Sequence, residues 1–152
     1  MNAVTHKVLA FGNRAASWLY LRSKGRVGGS AKGIPVLLLT LAGRKTGILR
    51  SVPLAYFEHG GGYLVTGSAG GVKADPQWIH NLRAAEERHV HIREKQYAVD
   101  ARVAGRDERD ELWRSVVLDQ APFFAEYEKK SGRVIPVALL TPRPETGRPH
   151  SA

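Results

Sequence analysis

Apolar residues along this chain follow two periodicities, and the change between them divides the sequence into elements. From residue 4 to residue 22 they recur every three or four positions, which predicts an amphipathic helix built on Val4, Val8, Phe11, Ala15, Trp18 and Leu19. From residue 34 onward, short apolar runs bounded by glycine and proline predict strands instead. The intervening Ser23–Gly33 contains four glycines and is expected to be a flexible linker.

Six strands are predicted: Val36–Leu41, Arg50–Phe57, Tyr63–Thr66, His89–Arg93, Gln96–Ala104 and Val134–Leu140. The first is continuously apolar, so we expect it to be covered on both faces. The second alternates, and Pro53 within it marks an edge position or a bulge because proline cannot donate to a strand ladder. Short hairpins favour antiparallel pairing, so the expected fold is mainly β with added helices (α+β), a small barrel rather than a doubly wound sheet.

Three helices are expected between and after the strands. Asp75 as N-cap and Pro76 at the first helical position predict a helix to about Ala85, with Trp78, Asn81 and Leu82 on one face. Asp107 opens a second helix, and its apolar side is Leu112, Trp113, Val116 and Val117. Pro122 begins a third, which ends at Gly132. The expected domain organisation is an N-terminal helix and linker (1–33), a barrel (34–141) and a flexible tail (142–152).

Composition narrows the class of protein. The chain has 152 residues, 43% of them hydrophobic, which suits one domain with a real core. It lacks cysteine, which excludes disulfides and thiolate chemistry and fits a reducing compartment. No apolar run could span a bilayer and no signal peptide is evident, so a cytoplasmic location is expected. The net charge of +9 attracts anions, whether nucleic acid, an acidic membrane surface or a polyanionic cofactor.

The sequence Gly43-Arg44-Lys45-Thr46-Gly47, followed by Arg50, is the strongest candidate site. Glycine turns can present successive amides as a nest for anions, and the side chains add two cations and a hydroxyl. A strand follows rather than a helix, so the motif is not a P-loop. A second glycine loop comes later, formed by Ser68, Ala69, Gly70, Gly71, Val72 and Lys73. Two cationic glycine loops suggest a phosphorylated small molecule as ligand.

Each of the other candidate residues could have a structural role in place of a binding role. Trp78 could pack in the core or face a ligand, and Asn81 could satisfy the backbone of the adjacent loop. Phe123, Phe124 and Tyr127 could be helix packing or an aromatic wall. His89 and His91 share a strand face, but without a third ligand we expect solvent exposure and no metal site. No nucleophilic or paired-carboxylate arrangement is evident, and no nucleic-acid module appears, although a charge-driven polyanion binder is compatible with the composition.

In order along the chain, these motifs resemble the deazaflavin-dependent nitroreductases, small split β-barrel proteins that bind coenzyme F420. The resemblance covers roughly residues 34–142. It is carried by Pro35–Thr40, Gly43–Gly47, Arg50, Pro53, Leu54, Tyr56, Ser68, Gly70, Gly71, Pro76, Trp78, Asn81, Leu82 and Ile135–Val137.

The resemblance implies where such a cofactor would bind. Arg44, Lys45, Thr46 and Arg50 would hold its phosphate and the start of its polyglutamate tail, and Lys73 could reach the tail. Its ring system would lie along Pro53, Leu54 and the loop of Ser68, Ala69, Gly70 and Gly71, while Trp78 and Asn81 would brace this second loop. The reduced deazaflavin donates hydride, so no catalytic triad is needed.

The resemblance also implies a substrate side formed by Trp18, Phe123, Phe124 and Tyr127. Family members often carry several tyrosines in the late helix. Here only Tyr127 matches, as the substrate-side hydroxyl, because the preceding positions are Phe124 and Ala121. A more apolar pocket favours an apolar acceptor such as a quinone, beside nitroaromatics and enones.

The expected function is therefore F420H2-dependent reduction of a small acceptor. The alternatives are a flavin mononucleotide (FMN) oxidoreductase of the same barrel type and a non-catalytic F420-binding or carrier protein. The N-terminal helix could be a substrate lid or a peripheral membrane contact, or it could only pack on the domain. A homodimer is also compatible with a split barrel.

Overall fold

The computed structural model describes residues 14–26, 28–68, 71 and 73–144. A short strand, β1 (Ser30–Ala31), precedes a closed barrel of six antiparallel strands: β2 (Ile34–Ala42), β3 (Leu49–His59), β4 (Gly62–Thr66), β5 (His89–Ile92), β6 (Lys95–Val103) and β7 (Val137–Pro142). Their order in the barrel is β2-β3-β4-β7-β6-β5, and pairing of β5 with β2 closes it. The predicted six-stranded antiparallel barrel is thus confirmed.

Helices surround the barrel. Helix α1 covers residues 14–22 and α2 is Gln77–Ala84. Helix α3 (Arg106–Leu112) continues through a π-helix (Trp113–Val117) into the short α4 (Leu118–Gln120), and α5 (Phe124–Ser131) follows. In the described part of the chain, no helix is both long and apolar enough to cross a bilayer.

Strand β2 is covered on both faces, as its continuous apolar sequence predicts. Leu37, Leu39 and Leu41 point into the barrel, where side chains from all six strands meet three residues of α2. Val36 and Leu38 point the other way and pack against Tyr20 of α1. Side chains alternate along a strand, so an apolar run requires a layer on each side.

A second core lies between the outer surface of the barrel and the later helices. It contains Phe57, Leu64, Leu112, Trp113, Val116, Val117, Ala121, Phe124, Ile135 and Val137. The apolar side predicted for the helix after Asp107 is buried as expected. Gly132 ends α5 in the left-handed conformation with φ 65, which confirms the predicted glycine stop.

Several predicted element ends are wrong. The N-cap of α2 is Pro76, and the carboxylate of Asp75 instead pairs with Arg133 at 2.7 Å. Helix α3 begins one residue before Asp107. The last strand starts at Val137 rather than at residue 134, because only from Val137 onward does the chain pair with β4 and β6.

The predicted linker and tail contain more structure than expected. Ser30–Ala31 forms a short strand, β1, that pairs with the start of β2. Pro142 belongs to β7, and Arg143 after it bonds to Asp100 at 2.8 Å. Residues 1–13 of the predicted helix and linker, and residues 145–152 of the predicted tail, lie outside the described residues.

The predicted inner face of the first helix is also wrong where it can be compared. Trp18 and Leu19 are exposed, whereas Ser17 and Tyr20 are buried. Their hydroxyls bond to backbone carbonyls of the barrel, Ser17 to Ser51 and Tyr20 to Val36. The two residues are buried, and their hydroxyl groups form hydrogen bonds with backbone carbonyls of the strands. Helix α1 can therefore cover β2 without leaving these carbonyls unpaired.

We expected His89 and His91 to be exposed to solvent, but neither is fully exposed. Both are half-buried, and Nδ1 of His91 is buried with no hydrogen-bond partner among the described residues. Burial lowers the pKa of His91 because it disfavours the charged ring. No group of three possible metal ligands occurs in the described ranges.

Candidate functional site

A cleft of about 950 Å³ runs between the barrel and the helices and brings most of the predicted site residues together. Its volume lies within the range of pockets that hold cofactors and small substrates. The predicted residues that line it are Trp18, Gly43, Arg44, Lys45, Thr46, Arg50, Pro53, Leu54, Ser68, Trp78, Asn81, Phe123, Phe124 and Tyr127. The sequence motifs therefore converge on one site.

One wall of the cleft is the first half of β3. Every residue from Leu49 to Ala55 lines it, although successive side chains point to opposite faces of a strand. A continuous lining run means that the strand presents its edge to the cleft. The pairing agrees, since this half of β3 pairs with β2 and only Tyr56–His59 pair with β4.

Pro53 occupies this open edge, as its sequence position predicts. It lies opposite Leu38 in the β2–β3 ladder, and a proline is tolerated there because its backbone nitrogen faces the open edge and not β2. Because backbone groups alternate in direction, Ser51 must face the same edge as Pro53. The carbonyl of Ser51 accepts a hydrogen bond from the Ser17 hydroxyl at 3.1 Å, so α1 covers one end of the edge.

The Gly43–Gly47 turn joins β2 to β3 and is tightly bonded to itself. The amide of Gly43 donates to Ile48, that of Gly47 donates to Gly43, and that of Ile48 donates to the Thr46 hydroxyl. A side chain at Gly43 would place its Cβ 2.7 Å from Thr46 Oγ1, and Gly47 has a φ of 71. Both glycines are therefore required by the turn itself.

These hydrogen bonds reduce the number of backbone amides in the turn that are available to an anion. The amide of Arg44 donates to Asn81 Oδ1 at 3.1 Å. Within the described turn, this leaves only the amides of Lys45 and Thr46 without an acceptor. The Thr46 hydroxyl accepts from Ile48 and can still donate its own proton. Two amides, one hydroxyl and the lysine ammonium remain for an anion.

Asn81 braces the first glycine turn, not the second loop as predicted. Its Oδ1 accepts from the backbone and from the guanidinium of Arg44, the latter at 2.9 Å, and Gln77 accepts from the same guanidinium at 2.9 Å. Arg44 is thus oriented by two amide side chains on one face of α2. The neighbouring Trp78 is 8% exposed and belongs to the barrel core, yet it also lines the cleft.

The cleft is strongly cationic. Among the described lining residues are Arg14, Lys32, Arg44, Lys45 and Arg50, and none is an aspartate or a glutamate. No described carboxylate forms an ion pair with any of these five cations. Such a cluster of uncompensated charge attracts and holds an acidic ligand.

The second glycine loop is held by Arg133, which the sequence analysis missed. Its guanidinium donates to the carbonyls of Gly67 at 2.8 Å and Ser68 at 3.4 Å and pairs with Asp75. Gly71 packs so closely on α5 that a Cβ there would lie 3.2 Å from the Tyr127 carbonyl oxygen. The loop is therefore clamped at both ends against α5 and the segment after it.

Not every predicted residue of this loop reaches the cleft. Ser68 lines it, while Gly71 is buried beside α5 and Lys73 is exposed, and neither is among the described lining residues. Ala69 and Gly70 lie outside the described residues. The predicted tail contact of Lys73 is not part of the described cleft.

The other end of the cleft is aromatic. Phe123, Phe124 and Tyr127 form a cluster with ring centroids 5.1–6.1 Å apart, mostly edge to face. The ammonium of Lys32 donates to the Tyr127 hydroxyl at 3.2 Å and lies 5.0 Å from the centroid of Phe123. Lys32 was missed because it lies in the predicted linker, although its Lys-Gly pair is compatible with a tight turn.

Comparison with known proteins identifies a family to which the chain is similar. Residues 12–142 match the sequence model of the F420H2-dependent quinone reductase family. An F420H2-dependent quinone reductase of Mycobacterium tuberculosis is 34% identical over 128 residues, which are 82% of this chain and 86% of that protein.

Two solved structures are also similar. One is an F420H2-dependent reductase with 34% identity and a TM-score of 0.61, covering 70% of this chain and 93% of that chain. The other is described as a domain-swapped dimer, with 29% identity and a TM-score of 0.61, covering 83% of this chain and 98% of that chain.

Proposed function

Because the chain belongs to the F420H2-dependent quinone reductase family, we propose that its cleft binds F420 and a quinone side by side. The family match confirms the expected F420-dependent oxidoreductase, because the family and its relatives are named for F420H2 and not for FMN. When bound, the reduced deazaflavin supplies a hydride to the acceptor. The protein binds both partners, orients them and excludes water.

The residues present fit a cofactor with a planar ring, a phosphate and an acidic tail. Lys45, Thr46 and Arg50 lie at the cationic end and would hold the phosphate and tail, with Arg44 oriented beside them by α2. The ring would lie along the open edge of β3 at Pro53 and Leu54 and against Ser68. The observation that carries the proposal is the cationic cleft without a described carboxylate, which continues into an aromatic end.

The acceptor would lie at the aromatic end, among Phe123, Phe124 and Tyr127. Aromatic walls favour a flat apolar acceptor, and the Tyr127 hydroxyl can donate to a carbonyl oxygen. Trp18, with 60% of its surface exposed, lines the same cleft from α1 and can cover a bound quinone. Nitroaromatics and enones are further acceptors of the same flat shape.

Parallel titrations of the purified protein with F420 and with FMN test the cofactor assignment. We expect tight binding of F420 and much weaker binding of FMN, which has a phosphate but no acidic tail. Lys45→Glu should weaken F420 binding by roughly tenfold to a hundredfold, because it replaces an attraction by a repulsion beside the phosphate. Isothermal calorimetry measures both affinities.

Lys95→Glu is the matched control for this variant. Lys95 is an exposed cation at the start of β6 and is not among the described residues that line the cleft. Its reversal changes the net charge by the same amount, so it should leave F420 affinity within about twofold. Equal losses in both variants would mean that the Gly43–Gly47 turn does not hold the phosphate.

We propose a cytoplasmic homodimer, consistent with the similar chain solved as a domain-swapped dimer, and light scattering after gel filtration tests it.

We also propose that the rim of the cleft touches a membrane surface. Trp18, Leu21, Ile48 and Leu49 are all exposed there, beside Arg14. A membrane contact would bring the cleft to quinones dissolved in lipid.

A further inference from the structure

The Lys32 ammonium has no assigned role, and its position is unusual. We infer that Lys32 is a catalytic residue for quinone reduction, holding a carbonyl oxygen of the acceptor and giving it a proton. This inference rests on the proposed function. It starts from three observations: a strained turn that carries the residue, a hydrogen bond that aims it, and its separation from the cationic end.

Lys32 occupies a backbone conformation that lysine rarely adopts. It lies in the two-residue turn between β1 and β2, with φ 50, and Gly33 after it has φ 82. Positive φ at both positions is typical of a type I′ hairpin turn, where asparagine and glycine are preferred. Lysine is not a preferred residue in this conformation, so the turn itself does not require it.

The side chain of Lys32 is directed at the acceptor end of the cleft. Its ammonium donates to the Tyr127 hydroxyl at 3.2 Å and lies 5.0 and 5.4 Å from the ring centroids of Phe123 and Tyr127. No described carboxylate pairs with it. An ammonium has three donors, so two remain for an acceptor beside these rings.

Lys32 is separate from the cations that would hold the phosphate. It precedes β2, and the Gly43–Gly47 turn follows β2, which has nine residues. With a rise of about 3.3 Å per residue, the two backbones lie about 25–30 Å apart along the strand. A charge this far from the phosphate end acts on the other reactant.

The chemistry of a quinone requires such a group. A quinone that receives a hydride gains two electrons and one proton and becomes a hydroquinone monoanion, with negative charge on a ring oxygen. The Lys32 ammonium donates a hydrogen bond to this oxygen and then its proton, which completes the hydroquinone. The neutral amine regains a proton from solvent, and Tyr127 keeps it in position.

Lys32→Asn is the sharpest variant, because asparagine suits the type I′ turn better than lysine while the ammonium is removed. We expect kcat/KM for a soluble quinone to fall on the order of tenfold to a hundredfold, with F420 affinity within about twofold of the parent. Lys32→Arg should retain part of the activity. Unchanged turnover in Lys32→Asn would overturn the inference.

Lys24→Asn is the matched control. Lys24 is also a lysine with positive φ, 55, and it is exposed and not among the described cleft residues. The same substitution there removes the same charge from the same backbone conformation. Turnover should stay at the parent value, and an equal loss in both variants would assign the effect to net charge.

A readout without cofactor or turnover uses 1-naphthol, a stand-in for the hydroquinone product whose anion absorbs at a longer wavelength. The parent protein and Lys24→Asn should lower the pKa of bound naphthol, because the Lys32 ammonium stabilises the anion. Lys32→Asn should lose this shift. A shift that persists in Lys32→Asn contradicts the inference even if turnover falls.

Failure of the two proposals is distinguishable. If the parent protein binds no F420, the proposed function fails, whatever the naphthol titration shows. If F420 binds and is oxidised by quinone with equal rates in the parent and Lys32→Asn, only the role of Lys32 fails.

Discussion

Tyr20 is the residue that joins the N-terminal helix to the barrel. It is 1% exposed, and its hydroxyl donates to Val36 at 3.0 Å and accepts from the amide of Arg93 at 2.8 Å. Burial raises its pKa, and the hydrogen bond and charge of Arg93 oppose the shift only in part. One phenol thus satisfies a backbone carbonyl of β2 and a backbone amide in the turn that follows β5.

Tyr20→Phe should lower the free energy of unfolding by about 1–3 kcal/mol, because it leaves the buried Val36 carbonyl and the partly buried Arg93 amide without their partner. The folded protein holds the phenol proton more tightly than the unfolded chain. The stability that this provides is complete below about pH 10 and is lost as pH rises through the raised pKa. Urea unfolding at pH 8 and above pH 10 should therefore show a flatter pH dependence in the variant.

Part of the alkaline loss should remain in Tyr20→Phe. Tyr56 and Tyr63 also have pKa values raised chiefly by burial, and they are unchanged in the variant. The same loss of stability with pH in both proteins would show that Tyr20 does not titrate as its burial requires.

Residue periodicity could not identify Tyr20 as the inward residue of α1. The apolar pattern predicts Trp18 and Leu19 inside, yet Trp18 and Leu21 line the cleft and Tyr20 packs on β2. An apolar side chain that faces a binding cleft is indistinguishable in sequence from one that faces a core. In a helix that borders both a cleft and a core, the apolar residues therefore do not form one face from which the buried side can be predicted.

At the scale of elements, Arg133 connects the second glycine loop to the segment between α5 and β7. The Arg133 side chain is 14% exposed and pairs with Asp75 at 2.7 Å. Its guanidinium also donates to Gly67 and Ser68 where β4 ends. A partly buried charge pair of this kind holds the backbone of Gly67 and Ser68 in place.

Asp75→Asn should loosen this loop. It retains the side-chain volume but removes the negative charge beside a largely buried guanidinium, so we expect a loss of about 1–3 kcal/mol in unfolding free energy. Hydrogen exchange should accelerate at Gly67, Ser68 and the residues just before α2. Asp100→Asn, which breaks the more exposed pair with Arg143, is the control and should cost less than about 1 kcal/mol. Equal effects would contradict a clamping role for Arg133.

Elements with local determinants could be predicted from sequence. The hairpin at Gly43–Gly47, the alternation of β3 between the two cores and the glycine stop of α5 depend on nearby residues, and all are observed. The start of β7 was not predictable, because Val134 and Ile135 look strand-like but pairing with β4 begins at Val137. Strand limits depend on partners distant in sequence.

For the whole molecule, the site is assembled from parts that no single motif contains. The Gly43–Gly47 turn and the Trp78–Asn81 pair were predictable because each is a compact motif. Arg14, Gln77 and Lys32 enter the cleft from three separate elements, and only the closed barrel brings them together. The cationic cleft adds to a net charge of +9, so long-range attraction and local binding act in the same direction.

The proposed membrane contact makes a prediction at this scale. The protein should sediment with phosphatidylcholine vesicles that contain phosphatidylglycerol, and less with phosphatidylcholine alone or at high salt. Leu49→Glu should weaken vesicle binding severalfold, because it places a charge on an apolar rim residue that is 69% exposed. Val134→Glu, at an exposed apolar residue not among the described cleft residues, should not. Equal sedimentation of both variants would exclude the rim as the contact.

The open edge of β3 has a consequence for the protein before it meets its cofactor. The first half of β3 pairs with β2 on one side only, and its unpaired edge is a template to which a second chain can add, so molecules without cofactor could aggregate through it. Pro53 interrupts that template, and Arg50 beside it keeps like molecules apart by repulsion. A ligand bound along this edge would cover the unpaired backbone groups and so reduce aggregation of the protein.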